Sequence, residues 1–190
     1  MIDAPMQSLY EAARAGDAVR LSAIVAEHPT LAVFAAALSG DVAALENLLN
    51  GNRSLVTAVS PDGWLPLHLA AHFGKEEAAR VLLNKGAAAN ARSTNALTNT
   101  ALHAAAAGRA AGVAKMLIER GADVNARQHS GWCPLHAAAQ SGDVELAKLL
   151  IAAGADVSVR ADNQQRPLDL ALTRGQQAMV DLLETHGASL

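Results

Sequence analysis

Residues 130–142 read SGWCPLHAAAQSG, and residues 62–74 read DGWLPLHLAAHFG. Two separate stretches that share Gly-Trp, Pro-Leu-His, an alanine pair and a closing Gly signal an internal repeat, which governs every later reading of secondary structure. The frame recurs more weakly as NTALHAAAAGR at 99–109 and QRPLDLALTRG at 165–175. The anchoring leucines Leu67, Leu102, Leu135 and Leu168 are spaced by 35, 33 and 33 residues, and Gly86, Gly121, Gly154 and Gly187 keep the same spacings. Two independent markers holding one period exclude a coincidence of alanine-rich composition.

Within one unit the residues call for two short antiparallel helices and a turn. Pro66 and Pro134 suit the first turn of a helix, where the missing N–H would be unpaired anyway. Gly74 and Gly142 can take the left-handed conformation that reverses the chain. A second helix follows, carrying Val81, Leu82 and Leu83, echoed by Met116, Leu117 and Ile118 and by Leu149, Leu150 and Ile151. A single unit cannot bury such a face, so the units must stack. First helices are expected to begin near Pro66, Ala101, Pro134 and Pro167. Towards the N-terminus the pattern thins to LYEAARAGD at 9–17 and FAAALSGD at 34–41, two helix pairs of which the first leaves no room for a full turn.

The motif Pro-Leu-His-x-Ala-Ala, carried by Pro66-Leu67-His68 and Pro134-Leu135-His136, together with the tail Gly121-Ala122-Asp123-Val124-Asn125-Ala126, resembles the ankyrin repeat. The resemblance implies an all-α solenoid, one array over 1–190. Degenerate repeats would fill 5–30 and 31–58, and recognisable ones 60–92, 93–127, 128–160 and 161–190. Glu184, standing where Leu83, Ile118 and Ile151 sit, would make the last unit a polar cap, and a complete array is the expectation. Departures from the family pattern are clear. Leu65, Cys133 and Arg166 replace the Thr kept at Thr100, so a side-chain cap should be lost in three of the finger-like turns. Asp169 replaces the His. Arg109 stands where Gly74 does, with Gly108 displaced one place earlier. Two extra residues lie between Asn90 and Thr100.

Composition narrows the function classes. Of 190 residues, 51% are apolar but only 3% aromatic, so the core is built of Ala, Leu and Val. The net charge is −3 with no basic patch, which removes the electrostatic footprint of a nucleic-acid binder. The longest apolar run, Leu31 to Leu38, is too short for a membrane span. The start of the chain has no apolar signal segment. One cysteine, Cys133, permits no intrachain disulfide. These features predict a cytoplasmic protein, monomeric when free, with no membrane or nucleic-acid partner.

Candidate chemistry is sparse. His68 and His72 stand at i, i+4, a spacing able to hold a metal, but no third ligand is evident, and by resemblance His68, like His103 and His136, bonds finger backbone. Cys133 near His129 and His136 could be drawn as nucleophile and base, yet a small buried residue at a helix start explains it better. No catalytic residue, metal or cofactor is expected. Trp64 and Trp132 each follow a turn glycine, and either packing of the finger or an aromatic anchor for a partner accounts for them. The resemblance implies a concave face of fingers and first-helix ends. Here that face comprises Asp62, Trp64, His72, Phe73, Leu97 and Asn99, then His129, Ser130, Trp132, Gln140 and Ser141, and finally Asp162, Asn163, Gln165, Thr173 and Arg174. The expected function is non-catalytic binding of another protein. The alternatives are a dedicated regulator or inhibitor of one enzyme, and a small-molecule or metal binder.

Overall fold

A computed structural model describes residues 4–188. Helices come in antiparallel pairs: α1 (Ala4–Ala15) with α2 (Ala18–Glu27), α3 (Ala32–Ser39) with α4 (Val42–Gly51), α5 (Pro66–His72) with α6 (Glu76–Asn84), α7 (Ala101–Ala107) with α8 (Ala111–Glu119), α9 (Pro134–Ser141) with α10 (Val144–Ala152), and α11 (Pro167–Thr173) with α12 (Gln177–Thr185). The last four pairs begin where the sequence places them. Odd-numbered helices stack in one layer from α1 to α11, and even-numbered helices from α4 to α12 in a second. Among the described residues the one β-type pairing is an isolated bridge between Arg92 and Thr100.

Small side chains in the first layer let helices approach closely. Ala70, Ala71, Ala105, Ala106, Ala138 and Ala139 are fully buried, with Leu67, Leu102, Leu135 and Leu168 beneath them. From the second layer Leu82, Leu117, Leu150 and Leu183 point inward and are wholly covered. The N-terminal helix α2 is the loosest member: only Leu21 is buried, and Val19 is 81% exposed.

The helix-Gly-Asp signature has a local cause. Gly142 reverses the chain at φ 70°, and the Asp143 carboxylate then accepts the Leu146 N–H at 3.1 Å, capping α10. The repeat at 93–127 departs from this. Arg109 itself takes the left-handed conformation, at φ 56°, and Gly108 is helical. Gly108 is therefore no displaced turn glycine. A Cβ there would lie 2.0 Å from the His72 carbonyl oxygen, so close packing of α7 on α5 demands glycine.

The irregular finger also resolves. Each finger closes with an N–H to C=O bond, from Ser60 to Trp64, Gln128 to Trp132 and Ala161 to Gln165; in the repeat at 93–127 the pair is Ser93 and Asn99. The two extra residues thus lie between Ser93 and Asn99. They leave Thr98 at φ 51°, strained for a β-branched residue, and Leu97 47% exposed.

The histidines join finger to finger. His68 Nε2 donates to the Asn99 carbonyl at 2.9 Å, His103 Nε2 to Trp132 at 3.0 Å and His136 Nε2 to Gln165 at 3.1 Å. A carbonyl only accepts, so in each ring Nδ1 is the bare acceptor. Thr100 Oγ1 donates to His103 Nδ1 at 2.9 Å. The expected loss of three side-chain caps needs correction at two sites. Cys133 Sγ replaces the hydroxyl, 3.2 Å from His136 Nδ1. Arg166 has no acceptor to replace the hydroxyl, but Asp169 supplies part of the cap, its carboxylate accepting the Arg166 backbone N–H at 2.8 Å and the guanidinium at 2.6 Å. Only Leu65 has nothing to give, and His68 Nδ1 is buried without a partner.

Candidate functional site

The site assembles where α1, the first finger, α5 and the longer second finger meet. The Asp62 carboxylate stands at its centre, accepting the Tyr10 O–H at 2.7 Å and the Ser60 hydroxyl at 2.6 Å. Tyr10 stacks on Phe73 with ring centroids 6.2 Å apart, and His72 meets Phe73 edge-on at 5.3 Å. Trp64 leans over His68 at 5.7 Å. A pocket of about 370 Å³ opens between them, with the buried Leu69 and Ala104 and the exposed Gln7, Arg14, Leu97 and Ala107 completing its lining. Six residues of the sequence-predicted face line it together: Asp62, Trp64, His72, Phe73, Leu97 and Asn99.

Burial disfavours the charged form of both pocket imidazoles. Burial lowers the pKa of His72, and the nearby Arg14 charge lowers it further, against a bond to the Ala104 backbone. Burial likewise lowers His68. His68 Nε2 donates to the Asn99 carbonyl, which leaves the buried Nδ1 as that ring's one free nitrogen. Burial and the bond to Asp62 push the Tyr10 phenol well above its usual range, so the phenol keeps its proton and donates it to Asp62. Cys133 is fully buried, and burial raises its thiol, the reverse of what a nucleophile needs.

The remaining predicted residues lie outside the pocket. Trp132 is half-buried and stacks on His136 at 5.5 Å. His129, Ser130, Asp162, Asn163, Thr173 and Arg174 are exposed, and Gln140, Ser141 and Gln165 half-buried. Several are engaged with the fold: Asn163 Nδ2 bonds Gln165 Oε1 at 2.7 Å, Ser141 Oγ the Ala138 carbonyl at 3.1 Å, Thr173 Oγ1 the Asp169 carbonyl at 2.7 Å, and Asp162 pairs with Arg127 at 3.4 Å. Sequence reasoning missed α1. Gln7, Tyr10 and Arg14 repeat at intervals of three and four, one face of a helix, but nothing in the motif places that face against a finger more than forty residues away.

The paired helices, the finger-to-finger histidines and the period agree with comparisons to known proteins. The family model for ankyrin repeats, three copies to a match, fits residues 33–128 and again 113–190. The chain belongs to the ankyrin-repeat family. It is similar to the Neurogenic locus Notch protein of Drosophila melanogaster, 39% identical over 92 residues, which are 48% of this chain and 3% of that protein. Similarity to Neurogenic locus notch homolog protein 2 of Homo sapiens is 38% over 92 residues, 48% of the chain and 4% of the relative. For Neurogenic locus notch homolog protein 1 of Danio rerio it is 43% over 74 residues, 38% and 3%. The chain thus spans a small part of these curated relatives. Ankyrin repeats are general protein-interaction modules and typically non-catalytic. Among the described residues no helix is long and apolar enough to cross a membrane.

Proposed function

We propose that this ankyrin array is a non-catalytic module that binds a partner protein on the face made by its fingers and first helices. One observation carries the reading. The chain has five aromatic residues, two Trp, two Phe and one Tyr. Phe34 is buried in α3, while Tyr10, Trp64 and Phe73 line the pocket and Trp132 holds the matching place in a later finger. Rings gathered on one face of an aromatic-poor protein supply large, rigid contact area at low entropic cost. The opposite side presents Glu76, Glu77, Glu145 and Lys148, residue types depleted at interface cores. A fold with one buried thiol and no need of a disulfide suits the cytoplasm. The apolar faces of both layers are consumed by stacking within the chain, in keeping with a monomer.

The test is affinity capture followed by mutation. Trp64→Ala combined with Trp132→Ala should weaken binding of the captured partner by about 2 kcal/mol or more, the scale of a hot-spot truncation. Its helical content should be unchanged by circular dichroism. Normal binding by this variant, with sensitivity instead at Glu77 and Glu145, would place the interface on the other side.

A further inference from the structure

The first helix pair is fastened to the array differently from the later ones. Counting back six residues from the turns at Gly74, Arg109 and Gly142 reaches His68, His103 and His136; the same count from Gly16 reaches Tyr10. Each of those histidines bonds a backbone carbonyl of the next finger. No finger lies between α2 and α3, which are joined through the short turn Pro29–Leu31. Tyr10 instead donates to the Asp62 side chain, 52 residues on. Among the described residues this is the one hydrogen bond between residues 4–27 and those beyond Leu31.

Apolar packing at this junction is thin on one side. Met6, Leu9 and Ala12 of α1 are wholly buried, yet α1 and α3 touch less than any other neighbouring helices of the first layer, and α2 hardly meets α4. Leu48 stands in register with the wholly covered Leu82, Leu117 and Leu150 but is only half-buried, as is Ile24. A cleft of about 640 Å³ separates the helices there, lined by Leu21, Val25, Ala35, Ala36, Ala44 and Leu48. Inside the pair, α1 and α2 hold together by their own packing and by the Arg20–Glu11 ion pair at 3.0 Å.

Stability in a stacked array is a sum of unit and interface contributions, so the unit with the thinnest interface opens first. We infer that α1–α2 is a hinged wall, turning at Pro29–Leu31 and latched by Tyr10 on Asp62, that opens while the rest of the array stays folded. Gln7, Tyr10 and Arg14 leave the pocket when it opens, so the closed latch completes the site. A partner seated against them holds the wall shut. That consequence rests on the interaction-module reading, whereas the opening itself does not.

Native-state hydrogen exchange of the full chain, read amide by amide by NMR, tests the hinge. The slowest amides of α1 and α2 should share one rate, faster by about tenfold or more than the slowest of α7 and α9. Tyr10→Phe keeps a ring against Phe73 and removes the bond to Asp62. It should speed α1 and α2 together by about tenfold, the loss of one hydrogen bond to a charged group. Leu150→Ala, far along the array, should speed α9 and α10 and leave α1 and α2 unaltered, because the opening breaks none of its contacts. Acceleration of α1 and α2 by Leu150→Ala would mean that the pair opens only when the whole array unfolds, and would overturn the proposal. Equal rates in α1 and α7 of the unaltered chain would do the same, and unchanged rates in Tyr10→Phe would remove the latch. None of these measurements needs a partner, so their failure leaves the interaction module standing. A captured partner that depends on Trp64 should slow α1 and α2; if it did not, the hinge would be uncoupled from the site.

Discussion

The Trp64 finger and the Trp132 finger share a backbone. Both turn through a left-handed glycine, Gly63 at φ 87° and Gly131 at φ 74°, and both lead into a helix opened by Pro-Leu-His. Their surroundings differ. Trp64 faces α1, whose Tyr10 reaches across to Asp62, and an enlarged next finger that closes on Asn99. Trp132 is followed by a finger of ordinary length ending in Gln165, and it lies flatter on its histidine, at 23° against 51°. The repeat therefore sets the direction in which a side chain leaves the backbone. Neighbours outside the repeat, together with His72 and Phe73 where the later unit has Gln140 and Ser141, decide whether a pocket forms there.

If the two regions differ only in what surrounds a common frame, their cores should respond alike. Leu82→Ala beneath the first finger and Leu150→Ala beneath the later one should each cost about 2–5 kcal/mol in urea unfolding, since both leucines are wholly buried. Trp64→Ala should cost much less. A larger loss at Trp64 than at Leu82 would make the tryptophan a packing residue and remove it from the binding face.

Acid should sharpen the comparison. Burial lowers the pKa of His103, the residue that holds the Trp132 carbonyl, from an ordinary 6.5 to about 4. The unfolded chain takes up protons first, so stability is full above the unfolded value and declines as pH falls from about 6.5 towards 4, by about 3 kcal/mol from this residue. His68 and His136 are lowered by burial as well and add in the same direction. Urea midpoints at pH 7 and pH 4.5 test this, and NMR should show His103 neutral well below pH 6. An unchanged midpoint would mean that the imidazoles are not buried as described.

How much of this is legible in the sequence follows from where the causes lie. The helix starts at Pro66, Ala101, Pro134 and Pro167, and the buried Leu82, Leu117 and Leu150, are readable because each depends on a period within the sequence itself. Half of the pocket is readable for the same reason, since Asp62, Trp64, His72 and Phe73 belong to one unit. Gln7, Tyr10 and Arg14 are not, because their role depends on how α1 meets a distant finger. Gly108 reads in the sequence as a displaced turn residue, and that reading is wrong. Its cause, the His72 carbonyl packed against it, is a tertiary contact. Gly108→Ala should accordingly destabilise by about 1–3 kcal/mol through overpacking, measured by urea unfolding. Gly121 offers a contrast: a Cβ added there would meet nothing within 4 Å, but the residue holds φ 81°, so backbone strain alone is at work.

The smallest expected effect addresses a difference inside the frame, Leu65 against Cys133. Cys133 Sγ and Thr100 Oγ1 each sit within hydrogen-bond distance of the histidine three residues on, whereas Leu65 leaves His68 Nδ1 buried and unpaired. Leu65 is only half-buried and takes no part in the core cluster, so replacing it forfeits little packing. Leu65→Thr should supply the missing donor to Nδ1 while His68 Nε2 keeps the Asn99 carbonyl. The gain expected for a restored helix cap is about 1 kcal/mol, a rise in Tm of roughly 2–4 °C for a chain of this size. Cys133→Ser is the companion change, exchanging one donor for another, and should leave Tm nearly unaltered. Because Nδ1 must be bare to accept from the new hydroxyl, the gain should fade on acidification as His68 protonates. A pH-independent gain would trace to the β-branched residue's backbone preference, and no gain at all would mean that His68 Nδ1 already has a donor in solution.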